Sequence, residues 1–145
     1  MIVYLDTSTI LRRLFKEPGV IRDWGRWDEA YTSRIWKTEA SRAIHRLRLE
    51  ASISDRDVAA LQTDIALIDE ALHIIPVSEA ILARAGESFP TIVGTLDAIH
   101  LASAILVHSA QPLDKFLTHD KQQAMTARSL GFTVDGAWQA VEKYE

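Results

Sequence analysis

A three-layer α/β domain, with a parallel sheet covered by helices on both faces, is the fold this sequence predicts, and three observations predict it. Short strand-like runs are separated by helical stretches along the chain, the alternation that builds parallel sheets. The first run, Ile2 to Leu5, is apolar and is stopped by Asp6 and the hydroxyl residues Thr7, Ser8 and Thr9, which reads as a buried strand delivering a carboxylate to its C-terminal edge. The stretch Thr95 to Val107 is strongly apolar and rich in small residues, which suits a helix packed closely on such a sheet. The 145 residues suffice for a core without disulfides or a structural metal, so a single domain over 1–145 is expected.

Taken in order, Thr9 to Phe15 is helix-compatible, with Ile10, Leu11 and Leu14 at one-face spacing, until Pro18-Gly19 interrupts it. A second short helix is expected from Val20 to Trp27, and Ala30 to Ser33 is a strand candidate because it sits between two helical segments. From Trp36 to about Leu49, Ala40, Ala43, Ile44 and Leu47 recur at helical spacing with arginines on the other faces. Ser54-Asp55-Arg56-Asp57 resembles a capping box and introduces an amphipathic helix through about Ala71. Leu72 to Val77 reads as a strand ending near Pro76. Ser78 suits the cap of a helix through Arg84 or Glu87, and Ser88 to Gly94 is a loop. After the apolar helix, Lys115 to Thr118 is a short strand, and Asp120 with Gln123 forms a second capping-box pattern before a helix through Leu130. Gly131 suits the left-handed residue that ends a helix. Phe132 to Val134 is a last strand, and Trp138 to Tyr144 a terminal helix.

Composition narrows the function classes. Apolar residues make up 48% and charged residues 25% of the chain, values of an ordinary globular domain rather than a disordered or fibrous one. The absence of cysteine excludes a disulfide framework, a thiolate zinc site and cysteine nucleophilic catalysis. No apolar run approaches the roughly 18 to 20 residues that a bilayer crossing needs. The N-terminus also lacks the basic segment and cleavage site of a secretion signal, so a cytoplasmic protein with no membrane partner is expected. The net charge of −4 argues against a uniformly basic nucleic-acid-binding surface. Basic residues nevertheless crowd the stretch from Arg12 to Arg48, so local positive potential coexists with an acidic total.

Four acids carry the chemistry. Asp6 follows the first strand, Asp120 follows another in Leu117-Thr118-His119-Asp120, Asp97 opens the apolar helix, and Glu39 lies in the first turn of the arginine-rich helix. Strand ends and the helix starts that follow them share one edge, where ligands bind in open α/β sheets. Each acid alone has an ordinary explanation, because acids cap free N–H groups and complement the dipole at helix N-termini. Capping does not explain why the helices starting at that rim carry an acid so regularly, two of them beside a hydroxyl. Four carboxylates converging without a counter-ion repel one another and raise each other's pKa values; a divalent cation removes that conflict. Oxygen ligands select a hard ion such as Mg²⁺ or Mn²⁺ rather than zinc. Such ions share their coordination with substrate phosphate, which suits in-line hydrolysis of a phosphodiester.

At these residues the chain resembles a PIN-domain ribonuclease and, within that group, a VapC-type toxin of a toxin–antitoxin pair. The resemblance runs from Val3-Tyr4-Leu5-Asp6-Thr7-Ser8 through Glu17-Pro18-Gly19, Thr38-Glu39, Leu96-Asp97-Ala98-Ile99-His100-Leu101-Ala102 and Phe116-Leu117-Thr118-His119-Asp120 to Gly131-Phe132. Order and spacing together carry it, since no single piece is specific. It implies a sheet of about five strands in the order 3-2-1-4-5, and Mg²⁺ or Mn²⁺ held by Asp6, Glu39, Asp97 and Asp120, with Ser8 and Thr118 orienting ligands or water. It also implies an RNA substrate, a homodimer, and a small cognate antitoxin whose tail plugs the site. Asp114, close to the fourth acid, is read as a loop residue.

The other residues have plainer readings beside functional ones. Arg42 and Arg46 share the face of Glu39, and Arg12 and Arg13 follow the first strand closely; all four are candidates for RNA or antitoxin contact. His100, one turn after Asp97, is read as a packed, hydrogen-bonded histidine, and His119 as exposed and without a chemical role. Trp24, Trp27 and Trp36 are read as packing residues rather than base-stacking ones. Whether Thr7 does more than shape the turn is left open. Two other functions compete with metal-dependent RNA cleavage. A phosphatase of another α/β class could use Asp6 as phosphoryl acceptor, although Ser8 stands where its usual second aspartate would be. The other is a non-catalytic module that binds RNA or a partner.

Overall fold

The computed structural model describes residues 1–137; the helix expected over Trp138 to Tyr144 lies outside the described residues. Five strands, β1 (Ile2–Leu5), β2 (Glu29–Ser33), β3 (His73–Ile75), β4 (Lys115–Leu117) and β5 (Val134–Asp135), form one sheet in the order β3-β2-β1-β4-β5. Every pairing is parallel, and the order is the one the resemblance implies. The chain steps outward from β1 through β2 to β3, then returns to place β4 on the other side of β1. That reversal makes the gap between the C-terminal ends of β1 and β4 the switch point of the sheet, and Asp6 stands there.

Side chains of β1 alternate between two cores, as strand geometry requires. Val3 and Leu5 join Ile10, Leu14, Trp36, Ile44 and Ile65 on one face. That core rests on α1 (Thr7–Leu14), α2 (Ile35–Leu49) and α3 (Asp55–Ala71). Tyr4 joins Leu101, Phe116 and Phe132 on the other, under α5 (Thr95–Ala110) and α6 (Lys121–Ser129); a short α4 (Glu79–Ala85) packs beside α5. The tryptophans pack as expected: Trp36 is wholly buried and its indole donates to Asp69 at 2.9 Å. Trp24 and Trp27 meet edge to face against the first core. No helix among the described residues is long and apolar enough to cross a membrane.

Local chemistry explains where elements begin and end. Ser54 and Asp57 form the expected capping box at the start of α3, and Ser78 caps α4 through the Ile81 N–H. Helix α1 starts two residues earlier than its apolar spacing suggested, because Asp6 caps it directly. The helix expected from Val20 to Trp27 does not form. Those residues make isolated turns, with the Trp24 N–H on Ile21 and the Arg26 N–H on Asp23. Gly19 at φ 82° and Gly25 at φ 84° bracket a segment too short to sustain a helix. At the end of α6, Gly131 adopts φ 97° and its N–H bonds Arg128 while that of Phe132 bonds Ala127, the paired arrangement of a Schellman cap. Phe132 is thereby engaged by the helix, and β5 begins at Val134 instead of Phe132. Strand β3 is likewise shorter than Leu72 to Val77, since Leu72 closes α3 and Pro76 has no N–H to give a ladder.

Candidate metal centre

Asp6 follows β1, its N–H continuing the ladder to the Leu117 carbonyl at 2.9 Å, and only 4% of the residue is exposed. Its Oδ2 accepts from Ser8 Oγ at 2.6 Å and from Thr118 Oγ1 at 2.9 Å. Both hydroxyls are oriented by the backbone, since Ser8 Oγ accepts the His119 N–H at 3.0 Å and Thr118 Oγ1 accepts the Asp120 N–H at 3.1 Å. A hydroxyl has one hydrogen to give, and in both residues it goes to Asp6. One carboxylate oxygen is therefore held from two sides at the end of the central strand.

Glu39 reaches the same place from α2. It is the fifth residue of that helix, in the second turn rather than the first, because α2 begins at Ile35. Its Oε1 accepts from Thr7 Oγ1 at 2.8 Å and from His100 Nε2 at 2.9 Å. His100 is 1% exposed; its Nε2 also lies 2.8 Å from Thr7 Oγ1 and 3.9 Å from Asp6 Oδ1, and its Nδ1 is 2.8 Å from the Tyr4 hydroxyl.

Asp97 sits in the first turn of α5 and Asp120 caps α6, accepting the Gln123 N–H at 2.8 Å. The capping box expected at Asp120 and Gln123 is half formed. The Gln123 side chain, wholly buried, instead donates to the Asp97 carbonyl at 3.1 Å and ties the two helix starts together. Asp114 lies at the other end of β1, where it accepts the Ile2 N–H.

Burial and neighbouring charge both act on the titratable groups at this rim. Burial, followed by the charges of Asp6 and Asp120 and with a smaller push from Glu39, raises the Asp97 carboxyl to about 6, against a pull from His100. Burial alone would lower the His100 pKa, but its hydrogen bond to Glu39 and the charges of Asp6, Glu39 and Asp97 leave it raised. Burial and the Asp6 charge push the Tyr4 phenol well up, so it remains protonated at neutral pH. His119 is half-buried rather than exposed, and burial together with the Arg12 charge lowers its pKa.

The four arginines are placed differently. Arg12 is partly buried beside Gly19 and His119. Arg13 lines a separate cleft with Trp24, Asp64 and Leu67. Arg42 and Arg46 are exposed on α2 and make no ion pair among the described residues. Thr7, Tyr4, His100 and Gln123 are the participants that residue type alone did not single out. The one available signal was spacing, His100 lying one turn after Asp97.

Whether these residues suit a metal turns on donor chemistry. Carboxylates and hydroxyls fit a hard divalent ion, and the charges of Asp6 and Asp120, which add to burial in raising the Asp97 carboxyl, are ones such an ion offsets. Asp6, Glu39 and Asp120 each have one oxygen engaged by protein donors. As placed, no three His, Asp or Glu side chains among the described residues are grouped closely enough to hold one ion.

The PIN domain family model matches residues 3–129. Ribonuclease VapC47 of Mycobacterium tuberculosis is 30% identical over 139 residues, covering 90% of this chain and 93% of its own. Ribonuclease VapC35 of the same organism is 29% identical over 147 residues, covering 95% and 98%. A crystal structure of VapBC2 from Rickettsia felis, bound to a DNA fragment from their promoter, matches with a TM-score of 0.63 at 16% identity, over 93% of this chain and 98% of that one. At that identity the match speaks for the fold.

Proposed function

The chain belongs to the PIN domain family, and from that premise we propose that it is a divalent-metal-dependent endoribonuclease acting as the toxin of a toxin–antitoxin pair. The observation that carries this reading is the hydrogen-bonded frame at the switch point of the sheet: Thr118 Oγ1 joins Asp6 Oδ2 to the Asp120 N–H, Gln123 joins α6 to the Asp97 carbonyl, and His100 Nε2 lies 2.9 Å from Glu39 and 3.9 Å from Asp6. Kinship with curated VapC ribonucleases supports RNA as the substrate.

In this reading Asp6, Glu39, Asp97 and Asp120 hold Mg²⁺ or Mn²⁺. The ion, when bound, polarises a phosphodiester and lowers the pKa of an attacking water. The chain's own part is positional. Ser8 and Thr118 keep Asp6 Oδ2 occupied so that Oδ1 is the oxygen left to a ligand, and Thr7 with His100 does the same for Glu39. Gln123 and the Thr118 hydroxyl keep the starts of α5 and α6 in register with β1. No side chain acts as a nucleophile. Arg12, beside the site, is the arginine best placed to meet substrate phosphate; Arg42 and Arg46 are left to RNA or antitoxin. A cognate antitoxin, a homodimer and a cytoplasmic location complete the proposal.

The experiment is cleavage of defined single-stranded and stem-loop RNAs with Mg²⁺ or Mn²⁺ and, in parallel, with EDTA. Cleavage only with the ion supports the reading. RNA binding without cleavage under either ion would instead make the protein a binding module.

A further inference from the structure

Glu39 carries the most mobile side chain of the four acids, with three rotatable bonds, and it projects from the second turn of a helix, away from any capping position. Something must aim it. Two donors meet on its Oε1, Thr7 Oγ1 and His100 Nε2, and the imidazole is backed by the Tyr4 hydroxyl at Nδ1. A carboxylate oxygen only accepts, so Nε2 carries the hydrogen in this contact whatever the charge of the ring. The buried phenol of Tyr4, itself stacked on Phe116 at 5.3 Å, fixes the ring's orientation from behind. Packing alone would need a partner for each ring nitrogen. It would not need Nε2 to lie between the carboxylates of Glu39 and Asp6, at 2.9 Å and 3.9 Å.

We propose that Tyr4 and His100 are positioning residues that hold one oxygen of Glu39 through the chain Tyr4 hydroxyl, His100 imidazole, Glu39 carboxylate, and so present the other oxygen to the divalent cation. This rests on the carboxylate reading of the site. Neither residue touches substrate. Partners of this kind, which orient a ligand without binding the ion, typically change metal affinity by about 10- to 100-fold when removed.

The test is Mn²⁺ binding by calorimetry on the full chain, with thermal melts alongside. His100→Phe keeps a ring and loses the donor, and it is expected to weaken Mn²⁺ binding by about 10- to 100-fold. His100→Gln, whose amide N–H can reach the place of Nε2, is expected to stay near wild type. Tyr4→Phe removes one oxygen and keeps the stack on Phe116, so it decides the matter if His100→Phe fails to fold; a several-fold loss is expected. Wild-type affinity in folded His100→Phe or Tyr4→Phe overturns the proposal, as does an equal loss in His100→Gln and His100→Phe. Asp6→Asn separates the two levels. If it binds Mn²⁺ as wild type does, the carboxylate site itself is wrong. If it loses binding while the His100 and Tyr4 variants keep it, the positioning role alone fails.

Discussion

Thr118 Oγ1 and Asp6 Oδ2, 112 residues apart in the chain, are joined by a buried hydrogen bond of 2.9 Å. The same hydroxyl accepts the Asp120 N–H at 3.1 Å, so one side chain ties the acid after β1 to the acid that caps α6. Thr118→Val keeps the shape and removes both bonds, leaving the Asp120 N–H without its partner. We expect a loss of about 1–3 kcal/mol in urea unfolding, together with weaker RNA cleavage. Thr118→Ser should restore both, and a Val variant with wild-type stability and cleavage would contradict the coupling.

Asp97 predicts a dependence on pH in the metal-free protein. Its carboxyl is raised from the ordinary 3.8 to about 6, so between those values the folded state holds a proton that the unfolded state has lost. Stability from this group is present below the lower value and declines as pH rises through the upper one. Asp97→Asn cannot ionise. Its melting temperature should therefore gain on wild type from about pH 4 to about pH 6 and run parallel above that. Saturating Mn²⁺ at neutral pH should raise the wild-type melting temperature by binding the folded state. A difference that ignores pH would contradict the raised carboxyl.

Gly136 follows β5 with φ 105°, and a Cβ there would overlap the Thr118 carbonyl oxygen. Gly136→Ala must strain its own backbone and push on the end of β4. The Thr118 hydroxyl moves with that backbone, so the expected outcome is lower stability in urea together with weaker Mn²⁺ binding. Loss of one without the other would separate the strand end from the acidic site.

Ser54, far from the acids in the chain, caps α3 by accepting the Asp57 N–H at 3.2 Å, and its own N–H donates to the Asp57 carboxylate at 2.9 Å. Ser54→Ala should destabilise the protein by about 1 kcal/mol and leave the rate of RNA cleavage unchanged. An effect on cleavage at a temperature where the variant is folded would contradict the purely structural role.

Much of this arrangement was legible in the residues. The apolar run ending at Asp6, the capping box at Ser54 and the small apolar helix after Gly94 each obey a local rule, and local rules place helix starts well. Asp97 and Asp120 could be brought to one rim because both lie at helix beginnings beside strand ends. Glu39 was harder, since α2 begins before Trp36 and the acid falls in its second turn, where no cap signals its role. The Val20 to Trp27 segment forms turns instead of the expected helix because Gly19 and Gly25 adopt left-handed backbone and Trp24 and Trp27 pack on the first core, a contact that the local sequence does not announce. Tyr4, Thr7 and His100 depend on contacts spanning up to 96 residues, and Tyr4 and His100 look like ordinary core positions until the sheet order brings them together.

If Asp6 holds the metal, its carboxylate charge is required for RNA hydrolysis. Asp6→Asn keeps the size of the side chain and an acceptor for Ser8 and Thr118, so the fold should persist. The most direct measurement is the single-turnover rate of RNA cleavage by this variant in Mg²⁺ or Mn²⁺, on protein whose circular dichroism and melting match wild type. Complete loss of cleavage is expected. Cleavage by the folded variant at the wild-type rate would contradict the assignment of the site.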